Sequence, residues 1–212
     1  MRFLHHHPLY GASRTVRLML GERKLVFFPK MESPWERHEE FLTLNPAGDV
    51  PVLVTEDGVV LSGTMVIAEY LEETEDKASS LIWGTPGERA EIRRLTVWFE
   101  EKFVREVGAP LLNERYIKRV SVRGNPSSEV MRAAMTNLHI HLDYIDWLAE
   151  QGNWLAGKAM SLADLSAAAH TIKFTTIAPV DDALLSGLKG VFAHANLAKD
   201  NLDMTRAEPG AH

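Results

Sequence analysis

Residues 45–61, NPAGDVPVLVTEDGVVL, carry a strong local signal for secondary structure. It holds two short aliphatic runs on either side of the dipeptide Asp57-Gly58. Because Asp-Gly readily adopts the positive φ angles of a tight turn, this pattern predicts a β-hairpin. Pro51 stands at the start of the first run and has no N–H to give a sheet. It is therefore expected either at a sheet edge or after a cis bond in a turn.

Strand and helix signals alternate through the first third of the chain. Short apolar runs predict strands, and apolar residues at three- and four-residue spacing predict helices. The resulting order is a strand at 2–4, a helix at 14–22 with Ser13 as its N-cap, a strand at 25–28, a helix at 35–44, the hairpin, and a helix ending near residue 73. The order β-α-β-α-β-β-α indicates a small mixed sheet with helices on its faces.

The rest of the chain is helical in character. Long amphipathic helices are predicted over 88–107 and 128–151, and the charged, aperiodic stretch before them predicts a linker. Mixed charges on the first of these helices, among them Glu100, predict a solvated face, with a dimer or partner contact as the alternative. We therefore expect an N-terminal α/β domain over 1–74, a linker over 75–86 and an all-helical domain over 87–212.

Ser161-Leu162-Ala163-Asp164 places a hydroxyl and an acid three residues apart before an apolar run. This is the spacing of a helix capping box with Asp in place of Glu. We therefore expect Ser161 and Asp164 to have a structural role at the start of a helix.

Composition excludes several classes of protein. The chain has 212 residues, of which 45% are hydrophobic and 25% charged, the balance of a globular protein with a sizeable core. No apolar run is long enough for a membrane span, and the first residues lack a secretory signal, so a cytoplasmic protein is expected. The absence of cysteine excludes thiolate metal sites and a cysteine nucleophile. A net charge of −6 disfavours a nucleic-acid partner.

The three consecutive histidines, residues 5–7, alternate between the two faces of a strand and cannot all reach one metal ion. They are expected to be solvated or on an edge strand, with a titratable cluster near a ligand cleft as the alternative. No metal site is predicted.

Several motifs agree, in order along the chain, with one family. The segment NPAGDVPVL, residues 45–53, resembles the NPxGxVPxL segment of the glutathione S-transferase superfamily, and so do the Asp57-Gly58 turn, Ile67-Ala68-Glu69-Tyr70-Leu71 and the Ser161–Asp164 unit. The resemblance implies a thioredoxin-like N-terminal domain, an all-helical C-terminal domain and a homodimer. It also implies that Pro51 follows a cis bond and that the backbone of Val50 would hold glutathione.

The resemblance places a thiolate-activating hydroxyl after the first strand, where this chain offers Tyr10 or Ser13. It places an acid or amide followed by a hydroxyl residue at the third helix, where this chain has Gly63-Thr64. Thr64 can still meet a carboxylate, but Gly63 cannot meet the glutamyl ammonium. Losing one charge-assisted bond costs about 1.5–3 kcal/mol, so glutathione binding is expected to be weak and no other cofactor is expected.

Further motifs are similar to a bacterial subgroup of the superfamily that includes a protein binding the tubulin-like division protein FtsZ. They are Ser33-Pro34-Trp35-Glu36-Arg37, residues 98–103, and residues 142–150. The subgroup implies a scaffold or regulator at the division site that binds FtsZ filaments. Trp35 and Arg37 are the candidate partner contacts, with a buried anchoring role as the alternative for Trp35. The rival prediction is a glutathione-dependent transferase or isomerase that uses Tyr10 or Ser13 with Val50 and Thr64.

Overall fold

A computed structural model describes residues 1–122, 124–152 and 154–171. Four short strands form one mixed sheet in the order β2-β1-β3-β4. They are β1 (Phe3–His6), β2 (Phe28–Met31), β3 (Val52–Val54) and β4 (Val60–Ser62). β1 pairs in parallel with β2 and antiparallel with β3, and β3 and β4 form the hairpin predicted from the Asp57-Gly58 turn.

Seven α-helices lie within the described residues: α1 (Gly11–Glu22), α2 (Glu39–Leu44), α3 (Thr64–Thr74), α4 (Pro86–Val97), α5 (Ala109–Leu112), α6 (Ser128–Glu150) and α7 (Leu162–Thr171). Single 3-10 turns occupy Pro34–Glu36 and Lys77–Ser79, and π-type helical segments occupy Trp98–Gly108 and Asn113–Val122. None of the helices described here is both long and apolar enough to cross a bilayer. The all-helical domain is predicted to extend to residue 212, and its part after residue 171 lies outside the described residues.

The prediction that Ser13 caps α1 is wrong. The helix begins at Gly11, and its N-cap is Tyr10, which makes no side-chain capping hydrogen bond. Ser13 is fully buried inside the helix, and its hydroxyl accepts a hydrogen bond from the His7 backbone N–H at 3.3 Å. The hydroxyl thus connects the end of β1 to α1 and does not cap the first turn of the helix.

The second strand and second helix also differ from their predicted positions. The strand predicted at 25–28 is β2, which begins at Phe28 and includes Pro29. The proline is tolerated because β2 is the edge strand of the sheet. The helix predicted over 35–44 is divided into a 3-10 turn and α2, because Arg37 between them has a left-handed φ of 50°.

The prediction of solvated or edge-strand histidines is wrong as well. β1 lies inside the sheet, and His5, His6 and His7 are all nearly buried. His5 Nδ1 lies 2.7 Å from a carboxylate oxygen of Glu32. Burial, followed by the positive charge of Arg17, lowers the pKa of His6 to about 4. These rings are therefore part of the protein interior.

Helix α7 joins the two halves of the molecule. One core lies between the sheet and its helices and includes Leu4, Leu53 and Ile67, and the other lies among the later helices and includes Phe99 and Phe103. Two faces of α7 contribute to these cores. Leu162, Leu165 and Ala169 belong to the first core, and Ala163, Ala167 and Ala168 belong to the second core. The last helix described is thus shared between both cores.

At the start of α7, the Asp164 carboxylate accepts hydrogen bonds from the Ser161 N–H at 2.8 Å, the Ser161 hydroxyl at 2.7 Å and the Leu155 N–H at 2.8 Å. The serine hydroxyl therefore donates to the acid, whereas a standard capping box would have it accept from the backbone of the acid. The carboxylate also anchors the chain segment that leads into the helix. Burial raises the pKa of Asp164 against these opposing hydrogen bonds.

Candidate functional site

A cavity of about 360 Å³ opens between the N-terminus of α1 and the later helices. Its lining is largely apolar and comes from both halves of the chain. The α1 end supplies Leu9, Tyr10, Gly11, Ala12 and Arg14, the hairpin supplies Val50, and the helical half supplies Glu100, Val104, Gly108, Ala109, Leu111, Leu112, Arg115, Tyr116 and His170. The cavity can hold an apolar group beside a few polar side chains.

Tyr10 is the predicted hydroxyl residue that reaches this cavity. It is half-buried as the N-cap of α1 and packs against Phe41, Val50 and Val52. Burial raises the pKa of its phenol, so the hydroxyl stays protonated at neutral pH and can act as a hydrogen-bond donor. Ser13, the alternative, does not line the cavity and already accepts a hydrogen bond from His7.

The Val50–Pro51 peptide bond is cis, as the family resemblance implied. Val50 lines the cavity and is 6% exposed, and the Pro51 carbonyl accepts a hydrogen bond from the Gly63 N–H at 3.0 Å. This bond fixes the turn before β3 against the start of α3. The turn and the N-terminus of α3 therefore lie next to each other.

Gly63 and Thr64 begin α3. Gly63 is the N-cap, with φ 88° and ψ 151°, a conformation that favours glycine, and no atom lies within 4 Å of the place where a Cβ would stand. Thr64 is 5% exposed, and its hydroxyl donates to Glu100 Oε2 at 2.9 Å. The hydroxyl predicted to meet a ligand is therefore engaged inside the protein.

Glu100 was assigned to a solvated helix face, and that prediction is wrong. Its side chain is only 9% exposed, and three hydroxyl groups donate to it. Oε1 accepts from Thr15 at 2.8 Å and from Ser166 at 2.5 Å, while Oε2 accepts from Thr64. The sequence signal that could have found it is the spacing to Phe103 and Val107, three and seven residues later, which places Glu100 on the apolar face of this helix.

His170 completes the group around Glu100, with Nε2 3.2 Å from Glu100 Oε1 at ion-pair distance but without hydrogen-bonding angles. Burial alone raises the pKa of Glu100, but the charge of His170 and the hydroxyl donors outweigh it and hold that pKa below its usual value. Glu100 is therefore ionised at neutral pH.

Arg14 lies beside this group and is 5% exposed. Its guanidinium donates to the Ala169 carbonyl at 2.7 Å and to the Pro8 carbonyl at 2.6 Å. Burial lowers its pKa to about 10, against the opposing charge of Glu100. The cation thus fastens α1 to the end of α7.

The two candidate partner contacts are placed differently. Trp35 is half-buried, with its ring 4.9 Å from His7 and 5.5 Å from Tyr116, so it links the sheet side to the helical half. Arg37 is exposed. Neither placement tests the partner role, which stays a prediction. Across 1–122, 124–152 and 154–171, no group of three or more histidine or acidic side chains is arranged to hold a metal ion.

Comparisons with known proteins agree with the fold. The family model described as glutathione S-transferase, N-terminal domain, matches residues 12–74. The FtsZ-localized protein A of Caulobacter vibrioides is 46% identical over 172 residues, which are 80% of this chain and 75% of that protein.

Solved structures extend the likeness to nearly the whole chain. A glutathione S-transferase from Rhodospirillum rubrum is 39% identical with a TM-score of 0.86, over 99% of this chain and 95% of that one. FzlA from C. crescentus is 38% identical with a TM-score of 0.85, over 99% and 94%. The predicted thioredoxin-like N-terminal domain and helical C-terminal region are confirmed, and the chain belongs to the glutathione S-transferase superfamily.

Proposed function

We propose that this chain is a division-site protein of the cytoplasm that binds FtsZ filaments as a homodimeric scaffold or regulator. The observation that carries the proposal is its 46% identity to the FtsZ-localized protein A of Caulobacter vibrioides over 75% of that protein. The likeness to the FzlA structure supports it along the length of the chain.

The geometry of the cleft supports a role other than glutathione chemistry. Gly63 offers no side chain to a ligand ammonium, and the Thr64 hydroxyl is donated to Glu100. Both groups that would hold the glutamyl end of glutathione are therefore missing or engaged. Glutathione is proposed to bind weakly, without a catalytic role.

A second candidate function, a glutathione-dependent transferase, is favoured by one observation. Tyr10 and Val50 line the same cavity beside the cis bond to Pro51. A phenol at a helix N-terminus can donate to a thiolate, and the helix dipole also favours the anion. This candidate requires glutathione to bind despite the state of Gly63 and Thr64.

Co-sedimentation with polymerised FtsZ from the source organism tests the proposal. The protein is expected to pellet with filaments assembled with GTP and to remain in solution without them. Arg37→Glu is expected to reduce pelleting because it reverses an exposed charge at the candidate contact. Lys24→Glu is the matched control, since Lys24 is also exposed, cationic and at positive φ.

A glutathione-affinity column and a chlorodinitrobenzene assay test the rival on the same preparation. If the protein is retained on the column, turns over the substrate and does not pellet with filaments, the glutathione-dependent transferase would replace the proposed function. Sedimentation velocity at micromolar concentration tests the dimer, and a protein that stays monomeric would remove that part of the proposal.

A further inference from the structure

The carboxylate of Glu100 stands where three helices meet. Its hydroxyl donors are Thr15 on α1, Thr64 on α3 and Ser166 on α7. We propose that Glu100 is a specificity-determining residue, whose carboxylate takes the place of a ligand carboxylate at the start of α3 and so excludes ligands that carry one. The inference rests on the proposed function, in which the cleft binds glutathione only weakly.

The first step concerns the donor. The N-terminus of a helix of 11 residues such as α3 attracts anions, and Thr64 is its first residue. A hydroxyl has one hydrogen to donate. Because that hydrogen already serves Glu100 Oε2 at 2.9 Å, a ligand carboxylate at Thr64 would meet an oxygen without a free hydrogen.

The second step concerns charge. Glu100 is ionised at neutral pH, and a ligand carboxylate at the Thr64 hydroxyl would stand one hydroxyl away from it. Like charges at such a distance repel strongly where water is largely excluded. His170 Nε2 lies on the side of Oε1, whereas Thr64 contacts Oε2. The Arg14 guanidinium beside Glu100 already donates to the Ala169 and Pro8 carbonyls.

The third step concerns what remains admissible. The cavity beside Glu100 is lined mainly by apolar side chains, including Val50, Val104, Leu111 and Leu112. A neutral apolar ligand can enter it without approaching the start of α3. The structure therefore selects against a carboxylate while leaving room for apolar groups.

The experiment compares two probes, glutathione and its diethyl ester, by isothermal titration calorimetry on wild-type protein and on Glu100→Gln. Removing the charge of Glu100 is expected to tighten glutathione binding by about tenfold or more, the value of one charge-assisted hydrogen bond. Binding of the ester is expected to change less than about twofold, because the ester brings no carboxylate charge to Glu100.

Two controls separate this effect from a general loosening of the fold. Glu101→Gln removes the same charge from the adjacent exposed residue and is expected to change neither affinity. Thr64→Val removes the hydroxyl donor and is expected to tighten the binding of neither probe. Unchanged glutathione affinity in a folded Glu100→Gln protein, or an equal gain for both probes, would overturn the inference.

If Glu100→Gln does not fold, the comparison of the two probes on the wild-type protein tests the inference. It must bind the ester measurably more tightly than glutathione, and equal or weaker ester binding overturns the inference. Failure of the proposed function has a different signature. Tight glutathione binding with turnover by the wild-type protein would refute the proposed function, whereas absent binding by both proteins would refute only the role of Glu100.

Discussion

The Trp98 indole N–H donates a hydrogen bond to His141 Nδ1 at 3.1 Å. An indole nitrogen can only donate, so Nδ1 must accept and the imidazole proton must be on Nε2. Nε2 lies 3.0 Å from a carboxylate oxygen of Glu106 and can donate to it. The tryptophan thus selects the neutral form of a histidine that is 1% exposed and packs against Phe103.

Trp98→Phe is expected to raise the pKa of His141, because the neutral ring loses the donor that matches it. Burial, which outweighs the influence of Glu106, holds that pKa below its ordinary value in the wild-type protein. The same change is expected to cost about 1 kcal/mol of unfolding free energy, the net value of one hydrogen bond. An NMR titration of the His141 ring protons measures the first effect, and an unchanged or lower pKa would contradict the tautomer assignment.

His6 is expected to make stability depend on pH. Its folded pKa of about 4 lies below the unfolded value of 6.5, so the unfolded chain binds the proton first as the pH falls. Stability from this group is therefore complete above about pH 6.5 and falls by as much as about 3 kcal/mol on the way to pH 4. Urea unfolding between pH 8 and 5 should show the loss in the wild-type protein.

His6→Asn removes that titration, so the stability difference between wild type and variant should shrink as the pH falls. His38→Asn is the control, because the His38 side chain is 58% exposed. A difference that stays constant with pH for His6→Asn would show that the ring is not held neutral.

The ion pair between Arg23 and Glu72 is expected to stabilise the chain segment between α3 and α4. The two side chains are 1% and 3% exposed, and Glu72 also accepts from the Ser80 hydroxyl and the Leu81 N–H. Glu72→Gln leaves a buried guanidinium without its counter-charge and should cost about 3–5 kcal/mol by urea unfolding.

Glu91→Gln is the matched control for that pair. It breaks the exposed pair with Arg94, in which both side chains are more than 40% exposed, and should cost less than about 1 kcal/mol. Equal losses in the two variants would mean that the buried pair contributes no more than a surface pair.

Gly63→Ala is expected to destabilise the protein by about 1–3 kcal/mol because the residue at this position must adopt a left-handed φ of 88°. No atom obstructs a Cβ there, so backbone strain is the sole cause. Gly87→Ala, in the first turn of α4 and equally unobstructed, should be neutral or slightly stabilising. A thermal melt compares the two, and equal midpoints would remove the strain argument.

The sequence predicted the elements whose signal is local. The hairpin followed from Asp57-Gly58, and α6 followed from the apolar spacing over 128–151, because turn chemistry and helical periodicity are both written in adjacent residues. The start of α1 was misplaced because Ser13 is a good cap by residue type. Its hydroxyl is used by His7, a contact that depends on how β1 packs against the helix.

Burial across the sheet and between the domains could not be predicted from local pattern. The histidines were assigned to the surface because strand order, which puts β1 inside the sheet, depends on long-range pairing. Glu100 is predicted on the solvated face because an acid among other charged residues is typical of an exposed position. Its hydroxyl partners come from residues 15, 64 and 166, which no spacing rule connects.

Because two faces of α7 complete the two hydrophobic cores, neither half of the polypeptide has a complete core without this helix. Cutting the chain in the segment around residue 80 would leave the α/β half with an uncovered apolar wall. The molecule should therefore melt in one cooperative step despite its bipartite layout, and evolution could not exchange one half for a foreign module without also redesigning this helix.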